Sequence, residues 1–198
     1  MAAIPTLTCL PNGPYLYSEG NKALCRCGGS RRKPYCDGSH RTNGFSDRNL
    51  ADPAKNRRTS YAGRRITILD NRALCAHVGH CTDGLAQVFR HRETPWIHPD
   101  AAGAEEIVAT IRKCPSGALG YAIDGVEAPP PARAPNVAAT RDGPYAVTGG
   151  VELVGVTLGD GASREHYTLC RCGASRNKPF CDGSHWDAKF QDPGADRV

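Results

Sequence analysis

The stretch CRCGGSRRKPYCDGSH at residues 25–40 recurs as CRCGASRNKPFCDGSH at residues 170–185, an offset of 145. Each copy offers four potential metal donors in the spacing C-x-C-x8-C-x3-H. The donors are Cys25, Cys27, Cys36 and His40 in the first copy and Cys170, Cys172, Cys181 and His185 in the second. The two ends of the chain are therefore copies of one small unit with a metal-ligand pattern.

The donor spacing restricts the kinds of metal centre. A cysteine and a histidine four residues apart lie on one face of a helical turn, so Cys36 and His40 can reach the same centre. Asp37, and Asp182 in the second copy, are placed to cap or orient that turn. The spacing alone allows a tetrahedral zinc ion or a 2Fe–2S cluster with two protein ligands on each iron.

The composition indicates why such a centre is needed. Leu, Ile, Val and Phe number only 33 of 198 residues, while Gly and Pro number 37 and Cys ten. A core this small needs cross-links. The N-terminal residues do not resemble a secretory signal, and no apolar run is long enough to span a membrane. We therefore expect a cytoplasmic chain with no membrane attachment, in which reduced cysteines bind metal rather than form disulfides.

Charge and composition divide the chain into three parts. The first unit with its linker covers residues 1–60, the middle segment 61–127, and the second unit with a Pro-rich linker 128–198. The first unit carries ten basic and four acidic side chains, the middle segment seven and eight, and the second unit eight of each. A basic first unit could steer an acidic protein towards it. No nucleic-acid motif accompanies the charge, so we expect no nucleic-acid binding.

The pattern C-x-C-x2-S-x3-P-x-C-D-G-S-H, present in both copies, resembles the signature of the CDGSH (mitoNEET-like) iron–sulfur family. The resemblance implies a 2Fe–2S cluster in each unit, held by the three cysteines and the histidine named above. It also implies pairing of the two units about a pseudo-two-fold axis. We therefore expect residues 1–45 and 136–198 to form one intramolecular lobe in a monomeric chain. Ser30 and Ser175 are candidates either to donate a hydrogen bond to the cluster or to cap the loop.

The middle segment contains three further cysteines, Cys75, Cys81 and Cys114. Cys114 is followed by Pro115, as in the last ligand of bacterial cuboidal clusters. The stretch resembles a divergent mono-cluster ferredoxin domain, except that Val78 stands where a cysteine is usual. A 3Fe–4S cluster needs only the three cysteines, whereas a 4Fe–4S cluster needs a fourth ligand. By the resemblance we prefer His77 to His80 as that ligand. A histidine close by that only supports the ligands, and a zinc or empty site, are the alternatives.

Hydrophobic patterning predicts an α+β fold, with a small β-rich pseudo-two-fold lobe and an inserted ferredoxin-like α+β domain. Strands are expected at residues 15–18, 145–148, 151–158, 166–169, 66–70 and 120–124. The third and fourth of these should pair as a hairpin. Helices are expected at residues 100–113 and 81–89.

The sequence contains no phosphate-binding glycine loop, nucleophile elbow or HExxH motif, so we expect a protein that is not an enzyme. Three redox centres predict one-electron transfer between redox partner proteins. A second hypothesis is an iron–sulfur cluster donor or repair factor that acts on apo acceptor proteins. A third is a structural zinc module that binds another protein.

Overall fold

The computed structural model describes residues 4–198, which form eleven short strands, two α-helices and four 3₁₀ helices. The strands are β1 (Thr6–Cys9), β2 (Tyr15–Tyr17), β3 (Lys22–Leu24), β4 (Thr59–Ala62), β5 (Ile66–Asp70), β6 (Leu119–Ile123), β7 (Val126–Glu127), β8 (Asn136–Ala139), β9 (Tyr145–Thr148), β10 (Glu152–Val154) and β11 (Tyr167–Leu169). The α-helices are α1 (His80–Gly84) and α2 (Ala104–Ile111), and the 3₁₀ helices are Ser39–Arg41, Pro53–Lys55, Arg72–Leu74 and Pro99–Ala101.

The two terminal units share one lobe. One of its sheets has the strand order β10-β1-β2-β3, so a strand of the second unit completes the sheet of the first. The pairing of β1 with β10 is parallel and joins Thr6 to Glu152 and Thr8 to Val154. The other sheet has the order β11-β9-β8. Because β10 comes from the second unit, the first sheet is built from strands of both units.

A single apolar core lies inside this lobe. The first unit contributes Leu7, Tyr15, Tyr17 and Leu24, and most of the remaining side chains come from the second unit, including Tyr145, Val147, Val151 and Leu169. A short chain buries a smaller fraction of its surface on folding than a long one. Each unit alone is therefore too small for a core of its own. The predicted α+β class with a β-rich pseudo-two-fold lobe is confirmed.

Two buried tyrosines show the pseudo-symmetry directly. The Tyr15 hydroxyl donates to the carbonyls of Cys170 and Pro179, at 2.9 and 3.0 Å. The Tyr145 hydroxyl donates to the carbonyls of Cys25 and Pro34, at 2.9 and 2.8 Å. Their rings meet edge to face, with centroids 6.0 Å apart. Each tyrosine therefore anchors the ligand loop of the opposite unit.

Replacing Tyr15 or Tyr145 by phenylalanine should lower the free energy of unfolding by about 1–3 kcal/mol, because a buried carbonyl loses its donor. Chemical denaturation followed by circular dichroism measures this loss. Tyr35→Phe is the matched control, since Tyr35 is 42% exposed and its counterpart in the second unit is already Phe180. Equal stabilities of all three variants would show that the reciprocal tyrosines do not fasten the lobe.

The two ligand loops also touch each other at the pseudo-two-fold axis. Cys27 and Cys172 form an isolated antiparallel bridge. A Cβ atom added at Gly173 would lie 2.5 Å from the Cys27 carbonyl oxygen, and one at Gly28 would overlap the Cys172 carbonyl oxygen in the same way. The backbone angle φ is also positive at both residues, 75° at Gly28 and 81° at Gly173, so only glycine fits at either position.

The middle segment has its own sheet and core. Its strands are ordered β4-β5-β6-β7, all antiparallel. Helix α2 packs Ile107 and Ile111 against this sheet together with Val88, Phe89 and Ile97. The arrangement fits an inserted α+β domain.

Some predicted elements differ from those observed. The predicted hairpin of 151–158 with 166–169 is wrong, because β10 pairs with β1 and β11 pairs with β9. The predicted helix at 81–89 ends at Gly84, where the helix-weakening glycine precedes a residue outside the α region. The predicted helix at 100–113 begins only at Ala104, since Gly103 is extended and its N–H donates to Glu106. None of the helices in residues 4–198 is long and apolar enough to cross a membrane.

Candidate iron–sulfur sites

The four donors of the first unit lie as two close pairs. The Cys25 and Cys27 sulfurs are 3.9 Å apart, and the Cys36 sulfur lies 3.4 Å from Nδ1 of His40. The 3₁₀ helix Ser39–Arg41 brings His40 back over Cys36, and it begins after Gly38, whose φ is 91°. The helical turn expected between the cysteine and the histidine is wrong: Cys36 and Asp37 lie outside any helix, Gly38 is left-handed, and only His40 of the two donors lies in the 3₁₀ helix.

The second unit repeats this geometry. The Cys170 and Cys172 sulfurs are 3.7 Å apart, and the Cys181 sulfur lies 3.4 Å from Nδ1 of His185. All eight residues predicted as ligands from the repeat are therefore arranged as two cysteine pairs and two cysteine–histidine pairs.

The arrangement of the donors in pairs bears on whether each unit holds one metal ion or two irons. Within residues 4–198, no group of three or more His, Cys, Asp or Glu side chains lies close enough together to hold one metal ion. A tetrahedral zinc ion would draw all four donors around one point. A 2Fe–2S cluster takes two protein ligands at each iron. Donors that approach in twos fit the two-iron centre better.

The predicted orienting aspartates each hold the turn between their cysteine and histidine ligands. Asp37 accepts hydrogen bonds from the Ser39 hydroxyl at 2.6 Å, the Arg31 amide at 2.9 Å and the Ser39 amide at 3.0 Å. These bonds hold the pKa of Asp37 well below its usual range. Asp182 repeats the arrangement with Ser184 and Arg176. Burial opposes ionisation of Asp182, yet these hydrogen bonds still lower its pKa.

The two candidate serines cap their loops. The Ser30 hydroxyl donates to the Tyr35 carbonyl at 2.6 Å, and the Ser175 hydroxyl donates to the Phe180 carbonyl at 2.7 Å. Each hydroxyl has only one proton to donate, and that proton is directed at the carbonyl oxygen. Of the two roles expected for Ser30 and Ser175, the structure shows loop capping. Backbone amides approach the sulfurs instead, with the Gly38 amide 3.4 Å from the Cys36 sulfur.

The buried cysteines fit a cationic centre. Burial raises the pKa of Cys25 to about 11 and that of Cys181 to about 12. A thiolate at these positions needs a positive charge beside it, and a bound metal centre deprotonates its thiol ligands. The donor chemistry of both units therefore suits a metal centre bound through thiolates.

Two buried arginines support the loops beneath the ligands. Arg171 forms an ion pair with Asp192 and donates to the carbonyls of Gly143 and Thr140. Its counterpart Arg26 donates to one carbonyl and lies 3.7 Å from Asp47. The sequence analysis singled out neither arginine as a support for its loop. Each lies between two cysteines, and both are almost fully buried.

In the middle segment, the three cysteines line one small cavity. It is bounded by Cys75, His77, Cys81 and Cys114, together with His80. Burial raises the pKa of Cys81 to about 11, with the charges of the other two cysteines adding to the effect. The His77 amide lies 3.3 Å from the Cys75 sulfur. The three predicted cysteines thus converge, which sequence spacing alone could not establish.

His77 occupies the boundary between this cavity and the second unit. Its φ is 54°, and its side chain packs against Gly183. Its carbonyl accepts a 3.2 Å hydrogen bond from Trp186 Nε1. The residue predicted as a fourth cluster ligand therefore also forms the contact between the middle segment and the loop that carries His185.

Comparisons with known proteins agree with this division. Residues 10–41 and 142–186 match the family described as an iron-binding zinc finger of the CDGSH type, and residues 61–124 match the divergent 4Fe–4S mono-cluster family. The chain is a two-unit CDGSH protein with a divergent mono-cluster segment between the units. The CDGSH matches include both sets of four donors, and the mono-cluster match includes Cys75, Cys81 and Cys114.

A curated relative matches about a third of the chain. The chain is 41% identical over 61 residues to the uncharacterized protein YjdI of Escherichia coli strain K12. That alignment covers 31% of this chain and 80% of the relative, and the O157:H7 protein of the same name matches equally. No solved structure matches the chain significantly. The matched domain types imply iron–sulfur cofactors for this CDGSH protein.

Proposed function

We propose that this CDGSH protein is not an enzyme but an electron-transfer protein with two 2Fe–2S clusters and one cuboidal cluster. The first cluster would be held by Cys25, Cys27, Cys36 and His40, the second by Cys170, Cys172, Cys181 and His185. The observation that carries the proposal is the arrangement of these eight donors in close pairs, which suits two irons better than one zinc ion.

For the middle site, the proposal is a 4Fe–4S cluster with His77 as fourth ligand or a 3Fe–4S cluster on the three cysteines alone. The converging cysteines and the Cys114–Pro115 sequence support a cuboidal centre. His77 lines the same cavity, which supports its role as a ligand. Iron content of the His77→Ala protein separates the two, since only the four-iron site loses a ligand.

The clusters, when bound, supply one-electron oxidation and reduction. The chain's own residues hold the ligand loops in position. Asp37 and Asp182 fix the turns that carry the histidines, and the reciprocal tyrosines fasten each loop to the opposite unit. Rigid ligands limit the rearrangement that accompanies a change of charge, which favours electron transfer over chemistry on a substrate.

The cluster-donor hypothesis is the second candidate, and one observation favours it. Cys27, Cys36 and His40 of the first unit are only partly buried, whereas His185 is 3% exposed. An open ligand set is easier to dismantle than a covered one. A structural zinc module is a third candidate, but the paired donors count against it.

Mixing the reduced and oxidised holoprotein with an apo-ferredoxin separates the first two candidates. An electron carrier keeps its iron through repeated cycles of dithionite reduction and reoxidation, and the apo-ferredoxin stays colourless. A cluster donor transfers iron and sulfide to the acceptor, measured after the two proteins are separated by size. Visible absorbance that does not bleach with dithionite would contradict the electron-transfer proposal.

A further inference from the structure

The CDGSH turn of the second unit is covered by the chain itself. A Cβ atom at Gly183 would lie 2.9 Å from Cδ2 of His77, and Trp186 Nε1 donates to the His77 carbonyl at 3.2 Å. Asn177 Nδ2 donates to the Ala73 carbonyl at 2.7 Å. The mono-cluster segment is therefore docked on this face of the second unit.

The equivalent face of the first unit has no such cover in the described chain. Nothing lies within 4 Å of a Cβ atom at Gly38, in contrast to Gly183. Tyr35 is 42% exposed, whereas its counterpart Phe180 is 7% exposed. The open face is defined here by Arg31, Arg32, Tyr35, Gly38 and Arg41.

The open face differs in charge from the covered one. Arg32 and Arg41 stand where the second unit has Asn177 and Trp186, the two residues that bind the mono-cluster segment. Arg31, Arg32 and Arg41 are exposed, and none forms an ion pair with a carboxylate of residues 4–198. Where the second unit makes two hydrogen bonds to the mono-cluster segment, the first unit carries two unpaired positive charges.

We propose that the open face is the docking surface for an acidic redox protein, whose position corresponds to that of the mono-cluster segment on the second unit. The proposal rests on the proposed electron-transfer function. Its basis is the partly exposed pair of Cys36 and His40 together with the three exposed, unpaired arginines within ten residues of them in the chain. Complementary charge raises association rates by about 10- to 1000-fold and brings a partner to the ligands that are open to solvent.

The experiment measures the association rate constant between the holoprotein and an acidic 2Fe–2S ferredoxin, used as the probe, by surface plasmon resonance. The test variant is Arg31→Glu/Arg32→Glu/Arg41→Glu. The matched control is Arg57→Glu/Arg65→Glu/Arg164→Glu, which makes the same change in net charge at exposed positions outside the open face. At low salt, the test variant should associate at least tenfold more slowly, while the control should change less than about threefold. The difference should shrink in 1 M salt, where the screening length is about 3 Å.

Equal losses in the two variants would overturn the proposal, because net charge alone would then account for binding. Binding of a DNA or RNA duplex, lost only in the test variant, would also overturn it in favour of a nucleic-acid surface. Iron content and dithionite bleaching are measured on the same preparations. Bleaching without face-dependent binding contradicts only the docking surface, and face-dependent binding without bleaching contradicts only the electron-transfer function.

Discussion

Replacing Gly173 by alanine is expected to destabilise the lobe by about 2–5 kcal/mol and to release both CDGSH clusters together. The new Cβ atom would lie 2.5 Å from the Cys27 carbonyl oxygen, a backbone atom that cannot move without shifting the first ligand loop. Overpacking of this kind costs about 1–3 kcal/mol, and a left-handed alanine costs about 1–2 kcal/mol more. Thermal unfolding, followed by circular dichroism and by visible absorbance of the clusters, measures both effects.

Gly44→Ala is the matched control for this substitution. Gly44 has a φ of 73°, close to the 81° of Gly173, but nothing lies within 4 Å of its Cβ position. It therefore carries the cost of the left-handed backbone without the steric clash. A Gly173→Ala protein as stable as Gly44→Ala would show that the two ligand loops do not meet at the axis as described.

Replacing Arg171 by methionine is expected to lower the free energy of unfolding by about 3–5 kcal/mol, because Asp192 would be left as an unpaired charge in the interior. The Arg171 and Asp192 side chains are 1% and 8% exposed. The substitution also removes the donors to the Gly143 and Thr140 carbonyls. Urea denaturation monitored by circular dichroism gives the change directly.

The pseudo-symmetric partner provides the control for this prediction. Arg26→Met should cost only about 1–2 kcal/mol, because Arg26 has one carbonyl acceptor and its ion-pair partner Asp47 is 29% exposed. The double variant Arg171→Met/Asp192→Asn should recover part of the loss, since no buried charge is then unpaired. Equal effects of Arg26→Met and Arg171→Met would contradict the described difference between the two supports.

The repeat made much of this architecture predictable. The spacing of the cysteines and histidine in each copy identified all eight donors that the structure brings together as pairs. Of the predicted strands, 145–148 is found as β9, and 15–18 is found one residue shorter as β2. These features could be predicted because a turn, or a set of ligands, is determined by a few residues that are close together in the sequence.

Other features depend on contacts between distant segments and could not be predicted in this way. The pairing of β10 with β1 joins residues 146 positions apart, such as Thr6 and Glu152, and takes the place of the predicted hairpin. From the sequence, the hydroxyl of Ser30 could donate either to a sulfur or to a carbonyl. Only the folded loop shows that the acceptor is the Tyr35 carbonyl. The cover over the second CDGSH turn depends on contacts of His77 and Ala73 with Gly183, Trp186 and Asn177, more than 100 residues away, for which the sequence carries no local pattern.

The inequality of the two CDGSH units is the main consequence of these long-range contacts. Their motifs differ at only three positions between residues 25 and 40, yet one turn is open and the other is occupied. Asn177 and Trp186 make the contacts that seat the mono-cluster segment. Substitutions of Asn177 by Arg and Trp186 by Arg would make the second unit resemble the first at this face.

The most direct test of the account is the content of iron, zinc and acid-labile sulfide per chain, measured on protein purified without oxygen. Two 2Fe–2S clusters and one cuboidal cluster predict about seven or eight irons with a comparable amount of sulfide. Eight would indicate a fourth ligand in the middle site, and seven would indicate the three cysteines alone. About three zinc ions without sulfide would contradict the account and leave a zinc-stabilised interaction module.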